Sequence, residues 1–97
     1  MSIKFSQKGK IWIYPGVSGW HFLNIDKNVS EKIRKAGKPY GAGFIRVRAT
    51  IGKTSWETAL FSQKITGTFL LPLKAKIRKT EELLAGDDIK VVLELIH

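Results

Sequence analysis

The 97-residue chain has no cysteine, a single methionine and only eight Asp and Glu residues. Without cysteine there can be no disulfide, no thiol nucleophile and no thiolate-ligated zinc. That composition suits a reducing compartment, and a cytoplasmic protein is expected. Long apolar runs are missing as well. The longest, Phe69 to Leu73, is cut by Pro72 and falls far short of the roughly 20 residues that a membrane helix needs. Met1-Ser2-Ile3-Lys4-Phe5 carries no apolar signal core, so neither export nor a membrane partner is expected.

Because acids are few, 17 Lys and Arg leave a formal charge of +9. Such a balance attracts nucleic acid, anionic lipid or an acidic protein, although a solubility surface would have the same composition. At this length the chain is one domain, residues 1–97. It has enough residues for a single core but not for a deeply enclosed catalytic cavity.

Catalysis finds little footing. His21 is the only internal histidine. It shares strand parity with Leu23 and Ile25, so it is expected in or near the core, hydrogen-bonded through one ring nitrogen. An acid–base role would need a carboxylate or nucleophile beside it, and none is apparent. The pairs Glu81-Glu82 and Asp87-Asp88 read as helix-end and turn residues rather than as an acid–base couple. No enzyme activity, cofactor or metal is expected.

What the chain does contain is one unit written twice. Gly19-Trp20-His21-Phe22-Leu23-Asn24-Ile25 aligns with Gly67-Thr68-Phe69-Leu70-Leu71-Pro72-Leu73 at an offset of 48, and Val29 then falls on Ile77. Self-similarity of this kind marks a repeated structural unit. Repeat one covers about residues 1–52 and repeat two about residues 53–97.

Alternation places the strands. Ile3, Phe5, Ile11 and Ile13 share one parity, with Lys4, Lys8, Lys10, Trp12 and Tyr14 on the other and Gly9 as a candidate bulge. Trp20 to Ile25, Phe44 to Ile51, Ser55 to Ser62, Thr68 to Leu71 and Ile89 to Ile96 read as further strands. A first helix follows Asp26 or Asn28, with Asn28 and Glu31 at capping-box spacing, Val29, Ile33 and Ala36 on its inner side, and Gly37 at its end. A second is predicted over Lys74 to Ala85, with Pro72 at a first helical position and Ile77, Thr80 or Glu81, and Leu84 inward. The expected fold is mainly β: a small closed or split six-stranded barrel with two short helices, built from two pseudo-twofold repeats. Closure leaves no edge strand exposed.

The combination Trp12-x-Tyr14-Pro15-Gly16, Gly19-Trp20-His21-Phe22, Arg46-Val47-Arg48-x-Thr50-Ile51-Gly52, Trp56-x-Thr58-x-Leu60-Phe61, Leu71-Pro72-x-Lys74-Ala75-x-Ile77-Arg78-Lys79 and Ala85-Gly86-Asp87 resembles the domain-of-unknown-function family nineteen-oh-five. The resemblance implies a bacterial β-barrel of the double-split type, sometimes joined to a bacteriocin-protection-type domain. The stretch from Leu71 to Asp87 is also similar, more loosely, to the strand-helix-Gly-Asp-strand element of AbrB-type DNA-binding barrels. Here both copies lie in one polypeptide, so the barrel would not need a second chain to close, and a monomer is expected.

Two accounts of the candidate site residues stand side by side. Trp12, Tyr14 and Trp20, with Lys4, Lys8, Lys10, Arg46 and Arg48, would suit single-stranded nucleic acid, because cations neutralise phosphates while flat rings stack on bases. The same rings could instead pack under loops, with the cations merely solvated. Lys74 and Arg78, four residues apart on one helix face, could grip a small anion, and His21 with Arg46 and Lys74 could line a barrel-mouth pocket. Lys38 in the glycine-rich stretch Gly37 to Gly43 could present backbone amides to a phosphate. The leading expectation is a non-enzymatic module whose basic surface binds a polyanion, with nucleic acid the expected one. The alternatives are a protein-interaction or scaffold domain and a binder of small anions.

Overall fold

The computed structural model describes residues 3–15, 19–36, 44–63 and 65–96. Among them the elements run β1 (Lys4–Ile13), β2 (His21–Asn24), α1 (Lys27–Ala36), β3 (Ile45–Ile51), β4 (Thr54–Ser62), β5 (Phe69–Pro72), α2 (Ala75–Thr80) and β6 (Asp88–Leu95). The six strands close a barrel in the order β1-β2-β5-β4-β3-β6, all pairs antiparallel. The expected class, a six-stranded barrel with two short helices, is the one observed.

Exchanging β1 with β4, β2 with β5 and β3 with β6 returns the same cyclic order. The repeat is therefore a pseudo-twofold axis in space. That axis passes between β2 and β5, where Leu23 pairs with Leu71, the residue 48 positions on. Two backbone bonds repeat about it: Ile25 N–H to the Phe69 carbonyl and Leu73 N–H to the His21 carbonyl, both 2.9 Å. Gly19 and Gly67, which open the two copies, take nearly identical positive φ values of 74° and 72°, a conformation that glycine adopts without strain.

The barrel interior is filled by alternate side chains. Val47 and Ala49 on β3, Leu60 on β4, Leu71 on β5, and Val91 and Leu93 on β6 are wholly buried, and Leu23 and Ile33 close the same cluster. The alternation expected of a strand with one buried face holds on β3 and β6. On β1 it holds only in the middle: Ile11 is buried, but Ile3 and Ile13 are exposed at the strand ends and Gln7 is buried in their place. Gln7 is satisfied at both ends of its amide, donating from Nε2 to the Asn24 carbonyl (2.9 Å) and accepting from the Asp26 N–H (2.7 Å). It thereby joins β1 to the chain where β2 passes into α1, beyond the last β1–β2 pair.

Several local expectations are corrected. Pairing of β1 with β6 runs unbroken from Lys4 to Lys10, so Gly9 forms no bulge; it makes room for Leu23 instead, whose Cδ1 lies 2.8 Å from where a β-carbon would stand. Helix α1 starts at Lys27, so Asn28 lies inside the helix rather than capping it, and Ser30 N–H bonds to the Asp26 carbonyl. Pro72 ends β5 rather than starting a helix.

Helix α2 stops at Thr80, not Ala85. Glu82 takes a left-handed φ of 54° and Leu83 N–H reaches back to the Arg78 carbonyl at 2.8 Å, the wrap of a Schellman termination. That wrap turns Leu83 into the core and leaves Leu84 70% exposed, the reverse of the helical reading. Thr80 is exposed as well, and Glu81 accepts a bond from Thr54 Oγ1 at 2.7 Å, tying the end of α2 to the β3–β4 hairpin. The loop Gly37 to Gly43, and Gly16 to Ser18 of the β1–β2 turn, lie outside the described residues.

Candidate functional site

The sequence candidates separate into three places. Arg46 and Arg48 project from β3 on the outer surface and meet acids. Arg46 Nη2 lies 3.2 Å from Glu57, and Arg48 lies 3.7 Å from both Glu57 and Glu94. Glu94 itself pairs in register with Lys4. A charge-alternating row thus crosses β1, β6, β3 and β4. Exposed pairs of this sort add little stability, but they leave Arg46 and Arg48 partly neutralised and distinct from the aromatic residues with which they were grouped.

Trp12, Tyr14 and Trp20 do come together, around a residue the sequence reading passed over. Phe22 stands directly opposite Trp12 in the β1–β2 pairing. Its ring lies 5.4 Å from Trp12, 6.2 Å from Tyr14 and 6.0 Å from Trp20, the last nearly parallel at 26°. Trp12 and Tyr14 are 6.1 Å apart, and Trp12 Nε1 donates to Asn24 Oδ1 at 3.0 Å. Contacts at these separations stabilise aromatic pairs beyond simple burial. The cluster covers the outside of the β1–β2 pair, with Phe22 buried beneath it and Tyr14 and Trp20 about half exposed. Packing and availability therefore coexist here: Trp12 and Phe22 support two rings whose surfaces remain open.

Cations flank this cluster on β1. Lys8 faces Lys90 of β6 directly, whereas Lys10 faces Asp88. Like charges directly opposite on adjacent strands repel, and among the described residues neither Lys8 nor Lys90 has an ion-pair partner.

The third place is a cleft of about 500 Å³ between the β4 surface and the start of α2. Gly19, Trp20, Thr58, Ala59, Phe61, Pro72, Lys74, Ala75 and Arg78 line it. Lys74 and Arg78 sit one turn apart, joined by the first α2 backbone bond, Arg78 N–H to the Lys74 carbonyl. No carboxylate is among the lining residues. Arg78 is anchored: Nε donates to the Leu73 carbonyl at 3.1 Å and Nη1 approaches His21 Nε2 at 3.4 Å. His21 Nδ1 lies 2.7 Å from the Gly19 carbonyl, which can only accept, so Nδ1 carries the proton and Nε2 accepts from Arg78.

His21 is therefore half-buried at the barrel rim rather than a core histidine, and both ring nitrogens are engaged. Of the barrel-mouth trio His21, Arg46 and Lys74, only Lys74 lines the cleft. His21 stands behind Arg78, and Arg46, opposite cleft residue Ala59, turns toward Glu57. Phe61, which forms one wall and packs edge-on against Phe44 at 5.1 Å, was missed. Its outward parity on β4, opposite to that of buried Leu60, was the available signal. Among the described residues no group of three or more His, Cys, Asp or Glu could hold a metal ion, and no helix is long and apolar enough to cross a membrane.

The family model described as Domain of unknown function (DUF1905) matches residues 8–93, a span that takes in β2 to β5 whole, most of β1 and β6, the aromatic cluster and the cleft. No curated protein matches the chain.

Proposed function

The chain belongs to the family described as Domain of unknown function (DUF1905), and because that description names no activity we propose one from the geometry: a non-enzymatic module that binds single-stranded nucleic acid. One observation carries the reading. Trp20, half exposed, is both the outer member of the Trp12–Tyr14–Phe22 cluster and a wall of the cleft that holds Lys74 and Arg78. Open ring faces and unneutralised cations on one continuous surface are what unpaired bases on a phosphate backbone require. Lys8 and Lys90, which face each other, extend the cationic side of that surface along β1 and β6. The barrel closes within one chain, which supports action as a monomer, and the absence of cysteine suits the cytoplasm.

The reading is tested by titrating a labelled single-stranded oligonucleotide at several salt concentrations. Affinity should fall with salt at a slope of about −0.7 per neutralised phosphate. Trp20→Ala should weaken binding at least about fivefold, the effect of losing one stacked base, while Arg46→Ala should leave it nearly unchanged. If neither single-stranded nor duplex DNA or RNA binds at low salt, the reading fails.

A further inference from the structure

The two halves of the barrel treat the same strand crossing differently. In the first half, Ser30 Oγ donates to the Ile25 carbonyl and accepts from the Phe69 N–H, both at 3.1 Å, and Ser30 is fully buried. At the related place in the second half stands Arg78, bonded to the Leu73 carbonyl and to His21. The cleft residues Trp20, Lys74 and Arg78 correspond by the same offset to Thr68, Asp26 and Ser30. Around those counterparts, Arg34 donates to the Gly67 carbonyl and lies over the Phe69 ring, while Gln7 bonds to Asn24 and Asp26. The fold thus closes one copy of this crossing with a buried serine and with groups, Arg34 among them, whose partners lie within the barrel. An aromatic wall and two cations in the other copy are not something the barrel needs for its own closure.

We propose that this cleft is the seat for one nucleotide unit, with the planar ring against Trp20 and Phe61 and the phosphate between Lys74 and Arg78. The inference rests on the nucleic-acid reading for its context but makes a separate claim about where a single unit binds. Three features select this chemistry. The walls Trp20, Phe61, Pro72, Ala59 and Ala75 are largely apolar and include two rings, suited to a flat heterocycle. The charged residues that line the cleft are Lys74 and Arg78, both cations and one helical turn apart. Arg78 uses Nε and one Nη1 proton on Leu73 and His21, so its remaining guanidinium protons stay available to an anion, and those two bonds hold the group in place before a ligand arrives. A volume of about 500 Å³ also falls within the range typical of small-molecule pockets.

The same chemistry is offered by a free mononucleotide and by one unit of a strand, and the experiment separates them. Calorimetric titrations are run on the full chain with nucleoside 5′-monophosphates, with the matching nucleosides, and with single-stranded oligonucleotides. Variants are Trp20→Ala, Lys74→Gln and, as a control on the opposite helix, Lys27→Gln. The expected result is binding of a monophosphate that weakens at least about fivefold in Trp20→Ala and disappears for the nucleoside. Lys74→Gln should remove most of the preference for the phosphate, and Lys27→Gln should change nothing.

If oligonucleotides bind but Trp20→Ala and Lys74→Gln match the native chain, the cleft proposal is overturned, and nucleic-acid binding stands without Trp20 as its carrier. If monophosphates bind in the cleft and oligonucleotides do not, the seat is confirmed as one for free mononucleotides, and the nucleic-acid reading falls. If no monophosphate binds and the two cleft variants leave oligonucleotide affinity intact, nothing remains of the proposed seat.

Discussion

Arg78 holds in the second half of the barrel the place that Ser30 holds in the first: each side chain donates to the carbonyl five residues before it and reaches across to the start of the opposite copy's strand. Ser30 reaches the backbone N–H of Phe69, and Arg78 reaches the imidazole of His21, the counterpart of Phe69. A serine is short enough to be sealed inside. An arginine is not, and its length carries charge out to the surface beside Lys74. The pseudo-twofold is thus kept in the backbone and broken in the side chains at one definable point.

That relation predicts unequal costs of substitution. Ser30→Ala removes the acceptor for the buried Phe69 N–H and the donor to Ile25, and should lower stability by about 1–3 kcal/mol, the cost of leaving a buried polar group unsatisfied. Arg78→Met leaves groups nearer the surface, where water can replace the guanidinium, and should cost less. Urea unfolding of both variants checks the order, and a larger loss for Arg78→Met would contradict it.

Gly9 is expected to resist any side chain. A β-carbon at this position would fall 2.8 Å from Leu23 Cδ1 and 3.3 Å from Leu23 Cγ, and Leu23 is wholly buried on the pseudo-twofold axis. Gly9→Ala should therefore destabilise by about 1–3 kcal/mol through overpacking. Thermal unfolding reads it directly, and an unchanged melting temperature would mean that Leu23 can move aside.

Glu82 should be improved by glycine. Its φ of 54° is a conformation that costs an L-residue about 1–2 kcal/mol, only part of which is returned by the greater freedom of glycine in the unfolded chain. Glu82→Gly should raise stability by about 0.5–1 kcal/mol while Glu82→Val lowers it, since β-branched residues are least tolerant of positive φ. Paired denaturation curves would show both signs.

The acidic partners of Arg46 and Arg48 should matter little to the fold. Arg48→Ala is expected to cost about 0.2–1 kcal/mol, as for other exposed ion pairs. While their acidic partners are in place, Arg46 and Arg48 are expected to add little to oligonucleotide binding. Glu57→Gln frees Arg46 and Arg48 from a shared partner and should strengthen oligonucleotide binding in the same titration, the strengthening fading as salt rises.

Much of the architecture was legible because a strand with one buried face writes a period of two into the sequence, as β3 does from Ile45 to Ile51 and β6 from Ile89 to Leu95. The second helix was misread for an equally physical reason. Helix termination by a left-handed residue is normally signalled by glycine or asparagine, and here the position is Glu82, so the pattern ran on to Gly86. The pairing of Arg46 and Arg48 with acids was not legible because ion pairs such as Arg48 with Glu94 join residues far apart in the chain, and no local spacing announces them.

The sequence by itself determined the repeat, the strand count and the excess of cations, since each follows from local periodicity, self-similarity or composition. Only the tertiary structure decided which cations are neutralised, which rings are open and that Trp20, Lys74 and Arg78 meet in one cleft. Those outcomes depend on register between strands and on which of two related side chains fills a crossing, and both are fixed by the closure of the barrel rather than by any neighbouring residue.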